Sequence, residues 1–141
     1  MGLFDFGHDV IYVHVYNEGF DVYKSLDGYQ KHNIKLLVLE KLYELTHNEM
    51  VKQEIEYEKD NDIKDRSSST KPGKNIFFYV HYPVAVIYRG LDKKNKYIIA
   101  LTVLEKLYEL SEDDDLLKRI KAVKKKIKGL EELINPSINN K

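Results

Sequence analysis

Two histidines occupy matching positions in two similar stretches of the chain. His14 ends the run Tyr12-Val13-His14, and His81 ends the run Tyr79-Val80-His81. Imidazole titrates near neutral pH, so two converging rings could act as general acid and base or bind a metal. One hypothesis is therefore a small hydrolase or nuclease that uses His14 and His81.

Aromatic side chains accompany these histidines. Because side chains in a strand alternate between two faces, Tyr12 and His14 share one face of the first run, and Tyr79 and His81 share one face of the second. Tyrosine rings on a sheet surface can stack on the bases of single-stranded nucleic acid. The same pattern is also typical of a half-exposed sheet surface or of a dimer interface.

The C-terminal third of the chain carries a dense run of cations. Residues 116–128 hold seven cations and no acid, whereas the corresponding residues 49–62 hold six acids and two lysines. Such a surface could bind nucleic acid or an acidic partner, could contact the acidic segment, or could simply face solvent. The candidate binding residues are Tyr12, Tyr79, Lys118, Arg119, Lys121, Lys124, Lys125, Lys126 and Lys128.

Apolar residues in the same segment recur at alternating gaps of four and three, as in the seam of a coiled coil. This pattern predicts a helix whose seam could form a homodimer interface. The seam residues are Leu116, Ile120, Val123, Ile127, Leu130 and Ile134.

Composition and the absence of known motifs limit the classes of function that the sequence supports. The chain has 141 residues, no cysteine, and 23 basic against 23 acidic residues, so no overall field attracts it to nucleic acid or membrane. There is no phosphate-binding glycine loop, zinc-protease motif or nucleophile elbow. We therefore expect no cofactor and no metal. The absence of cysteine and of a long apolar run leads us to expect a cytoplasmic protein without membrane contact.

An internal duplication organises the chain. The heptapeptide LEKLYEL occurs at 39–45 and again at 104–110, an offset of 65, and flanking residues match at the same offset. The strand-like runs match at an offset of 67, so the first copy has two extra residues near Asn17. Seven consecutive identities identify two copies of one unit.

Each copy predicts a β-β-α-α unit. Runs at 10–16 with 20–24, and at 76–82 with 84–89, are rich in β-branched and aromatic residues and predict two hairpins. Residues 33–45 and 96–110 predict buried helices, and Thr46 and Ser111 precede a second helix in each copy.

These elements predict an α+β fold with pseudo-twofold symmetry, in which the hairpins join into one four-stranded, antiparallel-rich sheet. The helices would cover one face, as in a circularly permuted ferredoxin-like sandwich, and His14 and His81 would lie far apart on the edge strands. The expected organisation is repeat 1 at 1–60, a flexible linker at 61–74, repeat 2 at 75–134 and a disordered tail at 135–141.

The leading hypothesis is a non-enzymatic interaction protein that forms a homodimer or binds another protein, through the C-terminal helix or the exposed sheet face. The first alternative is a nucleic-acid-binding protein that combines the lysine-rich helix with the aromatic face. The histidine-based hydrolase is the second alternative.

Overall fold

The computed structural model describes residues 6–60 and 73–134. Their order of elements is β1 His8–His14, α1 Tyr16–Lys24, α2 Gly28–Thr46, α3 Glu49–Asp60, β2 Asn75–His81, α4 Tyr82–Arg89, α5 Lys93–Ser111 and α6 Asp115–Ile134. One strand followed by three helices therefore occurs twice. Most of the expected linker and the whole expected tail lie outside the described residues.

The expected four-stranded, permuted ferredoxin-like sandwich is wrong. The described residues form a mostly helical fold with one two-stranded antiparallel sheet, β1 with β2. The segments expected as second hairpin strands are the helices α1 and α4. Their buried residues Phe20 and Tyr23, and Val84 and Tyr88, are spaced three and four apart, which suits one face of a helix. Pro83 stands in the first turn of α4, where it needs no amide donor.

The two strands form an antiparallel ribbon in which β1 of the first repeat pairs with β2, its equivalent in the second repeat. The register pairs Ile11 with Phe78, its own equivalent at the offset of 67, so a local twofold axis passes between these two residues. Two backbone hydrogen bonds obey the same symmetry: the Val15 amide donates to Lys74 and the Tyr82 amide donates to Gly7, at 2.8 and 2.7 Å. The inner face of the ribbon is fully buried and carries Ile11, Val13, Ile76, Phe78 and Val80.

The two repeats are interleaved. The helices α3, α2, α5 and α6 pack on one another in that order, while α1 of the first repeat packs on α5 and α6 of the second. A methyl group on Gly19 would lie 2.8 Å from Cβ of Val15 and 3.2 Å from a methyl of Leu104, so glycine permits the close approach of α1 to α5. In the same way, α4 of the second repeat packs on α3 of the first. One continuous core therefore holds both repeats together.

The helix α4 covers the outer edge of β1. The hydroxyl of Tyr88 donates to the carbonyl of Tyr12 at 2.8 Å, and Arg89 donates to the carbonyl of Val10 at 3.1 Å. Arg89 also forms an ion pair with Asp9; the backbone amide of Val10 and then Arg89 lower the pKa of that carboxyl. Free carbonyls on an edge strand would otherwise be open to pairing with another chain.

Burial raises the pKa of Tyr88 to about 12. A phenol with a raised pKa in the folded state contributes stability that is fully present below its unfolded pKa near 10 and is lost as the pH rises through about 12. Exchanging Tyr88 for Phe should cost about 1 kcal/mol at neutral pH through the lost hydrogen bond. The difference in unfolding free energy between the two proteins should shrink above about pH 10 and reverse in sign before about pH 12. Urea titrations at successive pH values measure it, and a difference that stays constant would contradict this assignment.

Candidate functional site

The structure does not bring His14 and His81 together. They lie at opposite ends of the ribbon, because His14 stands opposite Asn75 and His81 stands opposite His8. The ring of His14 is exposed and its Nδ1 lies 3.0 Å from the side-chain oxygen of Asn75. The separation arises from the register of a two-stranded ribbon and not from edge positions in a four-stranded sheet.

His81 belongs to a buried acid and histidine cluster. Its backbone amide donates to Glu54 at 2.6 Å, and its Nδ1 lies 3.0 Å from the other carboxylate oxygen, so the carboxylate orients the ring. Glu54 is 0% and His81 3% exposed. The ring of the solvent-exposed His8 lies 4.3 Å from that of His81, and the edge of Tyr57 also contacts it. This cluster ties β2 of one repeat to α3 of the other.

A second buried charged group lies one helical turn along α3. The amine of Lys35 donates to Glu58 at 2.6 Å, and Nδ1 of His32 lies 3.8 Å from the same carboxylate. Lys35 is 3% and Glu58 8% exposed. The second repeat has Ala100 and Val123 at the equivalent positions, which are buried as well. The two repeats thus use different chemistry for the same packing contact.

Sequence reasoning missed Glu54, Glu58, Lys35 and His8 as members of these clusters. One signal in the sequence could have revealed Glu58: it stands where the second repeat has the apolar seam residue Val123. An acid at an inward helix position needs a buried partner.

The end of the ribbon near His14 has diverged towards positive charge. Arg119 donates to Glu18 at 3.0 Å, and its guanidinium lies over the ring of Tyr16 at 4.6 Å. The amine of Lys126 lies 3.4 Å from the hydroxyl of Tyr16. The backbone amide of Glu18 and then Arg119 lower the pKa of the Glu18 carboxyl. We name Tyr16, Arg119 and Lys126 the basic corner; it is the symmetry counterpart of the cluster around Glu54.

Four lysines form one exposed line on α6. Lys118, Lys121, Lys125 and Lys128 follow one another at gaps of three, four and three, so they share the helix face opposite the core. We name them the basic stripe, and it spans about 15 Å of helix. None of the four forms an ion pair with any residue that the structure describes, whereas the neighbouring Lys124 approaches Glu105 at 3.7 Å. Lys118 contributes to the lowered pKa of Glu18, but the stripe as a whole carries positive charge that no ion pair among the described residues neutralises.

The outer face of the ribbon exposes aromatic rings. Tyr12 is 46% and Tyr79 is 44% exposed, and they are equivalent under the twofold axis. The rings of Tyr12 and Phe77 are in edge contact at 4.6 Å. We name these three residues the aromatic face. His14, two residues after Tyr12 on the same face of β1, contacts the ring of Tyr16 at 4.6 Å, so it lies between the aromatic face and the basic corner.

The seam of α6 is largely used inside the chain. Leu116, Ile120 and Val123 are buried in its own core, against α5, and Ile127 is partly buried. Leu130 is half-buried and Leu133 is 79% exposed, while the side chain of Ile134 lies outside the described part of the chain. The apolar surface that the seam side of α6 leaves uncovered lies in its last turns, while Leu117, outside the seam, is 36% exposed in the first turn.

The acidic helix α3 and the basic helix α6 lie on opposite sides of the helical layer, since α3 packs on α2 and α6 packs on α5. Glu54 and Glu58 point into the core, so α3 presents far less negative charge than its sequence suggests. The two helices therefore do not neutralise each other within the chain.

The charged residues of the repeated heptapeptide line a groove of about 470 Å³ between α2 and α5. Glu40, Lys41 and Glu44 face their equivalents Glu105, Lys106 and Glu109 there, so the groove has the symmetry of the repeat. Lys41 and Lys106 pair with glutamates on their own helices. With four glutamates against two lysines, this groove is polar and carries an excess of negative charge.

Comparison with known proteins finds no family model, no curated protein and no solved structure that matches the chain. Among residues 6–60 and 73–134, no helix is both long and apolar enough to cross a membrane. Within these same ranges, no group of three or more His, Asp or Glu side chains is arranged to hold a metal ion. A functional assignment therefore depends on the geometry of these surfaces.

Proposed function

We propose that this protein is a non-enzymatic nucleic-acid-binding protein whose basic stripe contacts the phosphate backbone. One observation carries the proposal: four exposed lysines stand in line on α6 without an ion-pair partner among the described residues. Because the chain as a whole has no net charge, the concentration of cations on α6 indicates a binding surface for an anionic partner at that helix. The absence of cysteine fits a cytoplasmic site of action, which we propose as its compartment.

Electrostatics favours a polyanion as the partner. Lysines that neutralise phosphates release condensed counterions, and this release supplies affinity that falls as salt is added. The acids at the start of α6, from Glu112 to Asp115, precede or begin the helix, where negative charge favours its N-terminus. These acids lie at the helix start, and residues 116–128 contain no acid that would compete with phosphates for the lysines.

The test measures the affinity of the unmodified chain for oligonucleotides across a series of salt concentrations. Four single-strand phosphate contacts predict a log-log slope of about −3, or roughly fifty-fold weaker binding at fourfold higher salt. Polyglutamate serves as the second ligand in the same assay. If the chain does not bind oligonucleotides at low salt, the stripe has no nucleic-acid partner and the proposal is rejected. If it binds polyglutamate as tightly as oligonucleotides, an acidic protein becomes the better partner and the proposal is also rejected.

Self-association through the end of α6 is a second candidate function. Leu133 is almost fully exposed and follows the half-buried Leu130 on the same helix face, so the last turns present uncovered apolar surface. Ile120 is unsuited to test it, because its side chain is buried in the chain's own core.

Exchanging Leu133 for Asp should convert a dimer to a monomer without lowering the melting temperature of the monomer. Sedimentation equilibrium over a wide concentration range measures the mass. Val86, 46% exposed on α4, provides the matched control, since Val86→Asp should leave the mass unchanged. A monomeric unmodified protein would exclude this candidate.

A further inference from the structure

The basic corner, on a flank of α6 next to the basic stripe, lies beside a set of aromatic rings. The side chains of Arg119 and Lys126 leave α6 towards α1 and meet the ring of Tyr16. Tyr16 contacts His14, and His14 shares the outer face of β1 with Tyr12. Cations and aromatic rings therefore follow one another from α6 onto the ribbon.

We infer that the ligand is a single strand, with its phosphates on the basic stripe and its bases stacked on Tyr12 and Tyr79 of the aromatic face. This inference depends on the proposed function and names its substrate class. Proteins that bind single strands without sequence preference combine a cationic track with aromatic stacking platforms. Both parts are present here, and the basic corner connects α6, which carries the stripe, to the ribbon, which carries the rings.

The proposed stacking on tyrosine requires unpaired bases, so it distinguishes a single strand from a duplex as the ligand. In a duplex the base faces are stacked within the helix, so exposed tyrosines could reach base edges, sugars and phosphates but could not stack on the bases. Unpaired bases can stack on any exposed ring, and Tyr12 and Tyr79 each leave nearly half of their surface open to solvent. Duplex binding would use the basic stripe alone.

The outer edge of β1 is closed to an added strand. Tyr88 and Arg89 occupy the carbonyls of Tyr12 and Val10 along the outer edge of β1. An extended peptide therefore cannot pair with these groups as an added strand. Ring stacking on the open face remains available to a ligand.

The test compares binding of the double variant Tyr12→Leu with Tyr79→Leu to oligothymidylate, oligouridylate and a duplex of about 20 nucleotides per strand. We expect single-strand affinity to fall at least about tenfold, because each lost stack weakens binding several-fold. Duplex affinity should stay within about twofold. The deoxy and ribo oligomers show whether a 2′-hydroxyl contributes.

Tyr29 supplies the matched control. It is 60% exposed on α2 of the first repeat, so Tyr29→Leu removes an equally accessible ring from another surface and should leave affinity unchanged. Quenching of tyrosine fluorescence by the single strand should decline in the double variant and persist in Tyr29→Leu. Melting temperatures verify that all three proteins fold.

Two results would overturn the inference. Equal binding of single strand and duplex, with the double variant behaving like the unmodified protein, would leave phosphate binding by the basic stripe intact and remove base stacking. Absence of oligonucleotide binding by the unmodified protein at low salt would remove the proposed function together with the inference.

Discussion

Replacing Glu58 with Val should destabilise the protein by roughly 3–5 kcal/mol, because it leaves a buried lysine without its counter-ion. The amine of Lys35 lies 2.6 Å from Glu58, and both side chains are almost wholly removed from solvent. Replacing Lys35 with Ala at the same time should restore most of the lost stability. The double variant recreates the apolar pair that the second repeat has as Ala100 and Val123.

The physical reason is the asymmetry between breaking a buried ion pair and replacing it. A single change leaves an unpaired charge in the core, whereas a double change removes the desolvation cost of both charges. Urea denaturation of the two single variants and the double variant gives the interaction free energy. The symmetric single change Val123→Glu places an acid opposite Ala100 and should be similarly destabilising. Additive effects of Lys35→Ala and Glu58→Val would show that the pair does not interact.

Replacing all four lysines of the basic stripe with Gln should weaken binding to single-stranded nucleic acid by about two orders of magnitude at physiological salt. Each phosphate contact contributes about 0.7 to the slope of log affinity against log salt, so the slope should approach zero. The lysines are exposed and unpaired with described residues, and the melting temperature should therefore change little. Fluorescence anisotropy at several salt concentrations measures both affinity and slope.

A matched pair of variants separates this surface from the effect of total charge. Lys121 and Lys125 lie on the basic stripe, whereas Lys52 and Lys59 are exposed on α3. Changing either pair to Gln alters the net charge equally. Only the first pair should lower the slope, by about 1.4. Equal losses from both pairs would indicate a diffuse electrostatic attraction without a binding surface on α6.

The sequence alone was enough to establish the duplication and to predict the long helices. Seven identical residues at one offset reveal the repeat, and the long helices follow from their length and periodicity. The basic stripe is likewise readable from lysines spaced three and four apart, because the period of a helix places them on one face.

The segments at 20–24 and 84–89 show where local patterns are ambiguous. Valine and tyrosine favour strands, yet their spacing also suits a short helix, and packing against the other repeat selects the helix. With α1 and α4 helical, only two strands remain to pair. The expected four-stranded sheet failed for this reason.

Tertiary structure alone decided which side chains meet. Interleaving of the repeats places His81 against Glu54, and Arg119 against Glu18 and Tyr16, across separations of 27 to 103 residues along the chain. The register of the ribbon separates His14 from His81 and puts His8 beside the latter. No local spacing encodes these contacts, because each depends on how two distant elements pack. Sequence periodicity thus placed the lysines of the stripe on one face of a helix, and only the crossing of the repeats placed the ring of Tyr16 beside Arg119 and Lys126.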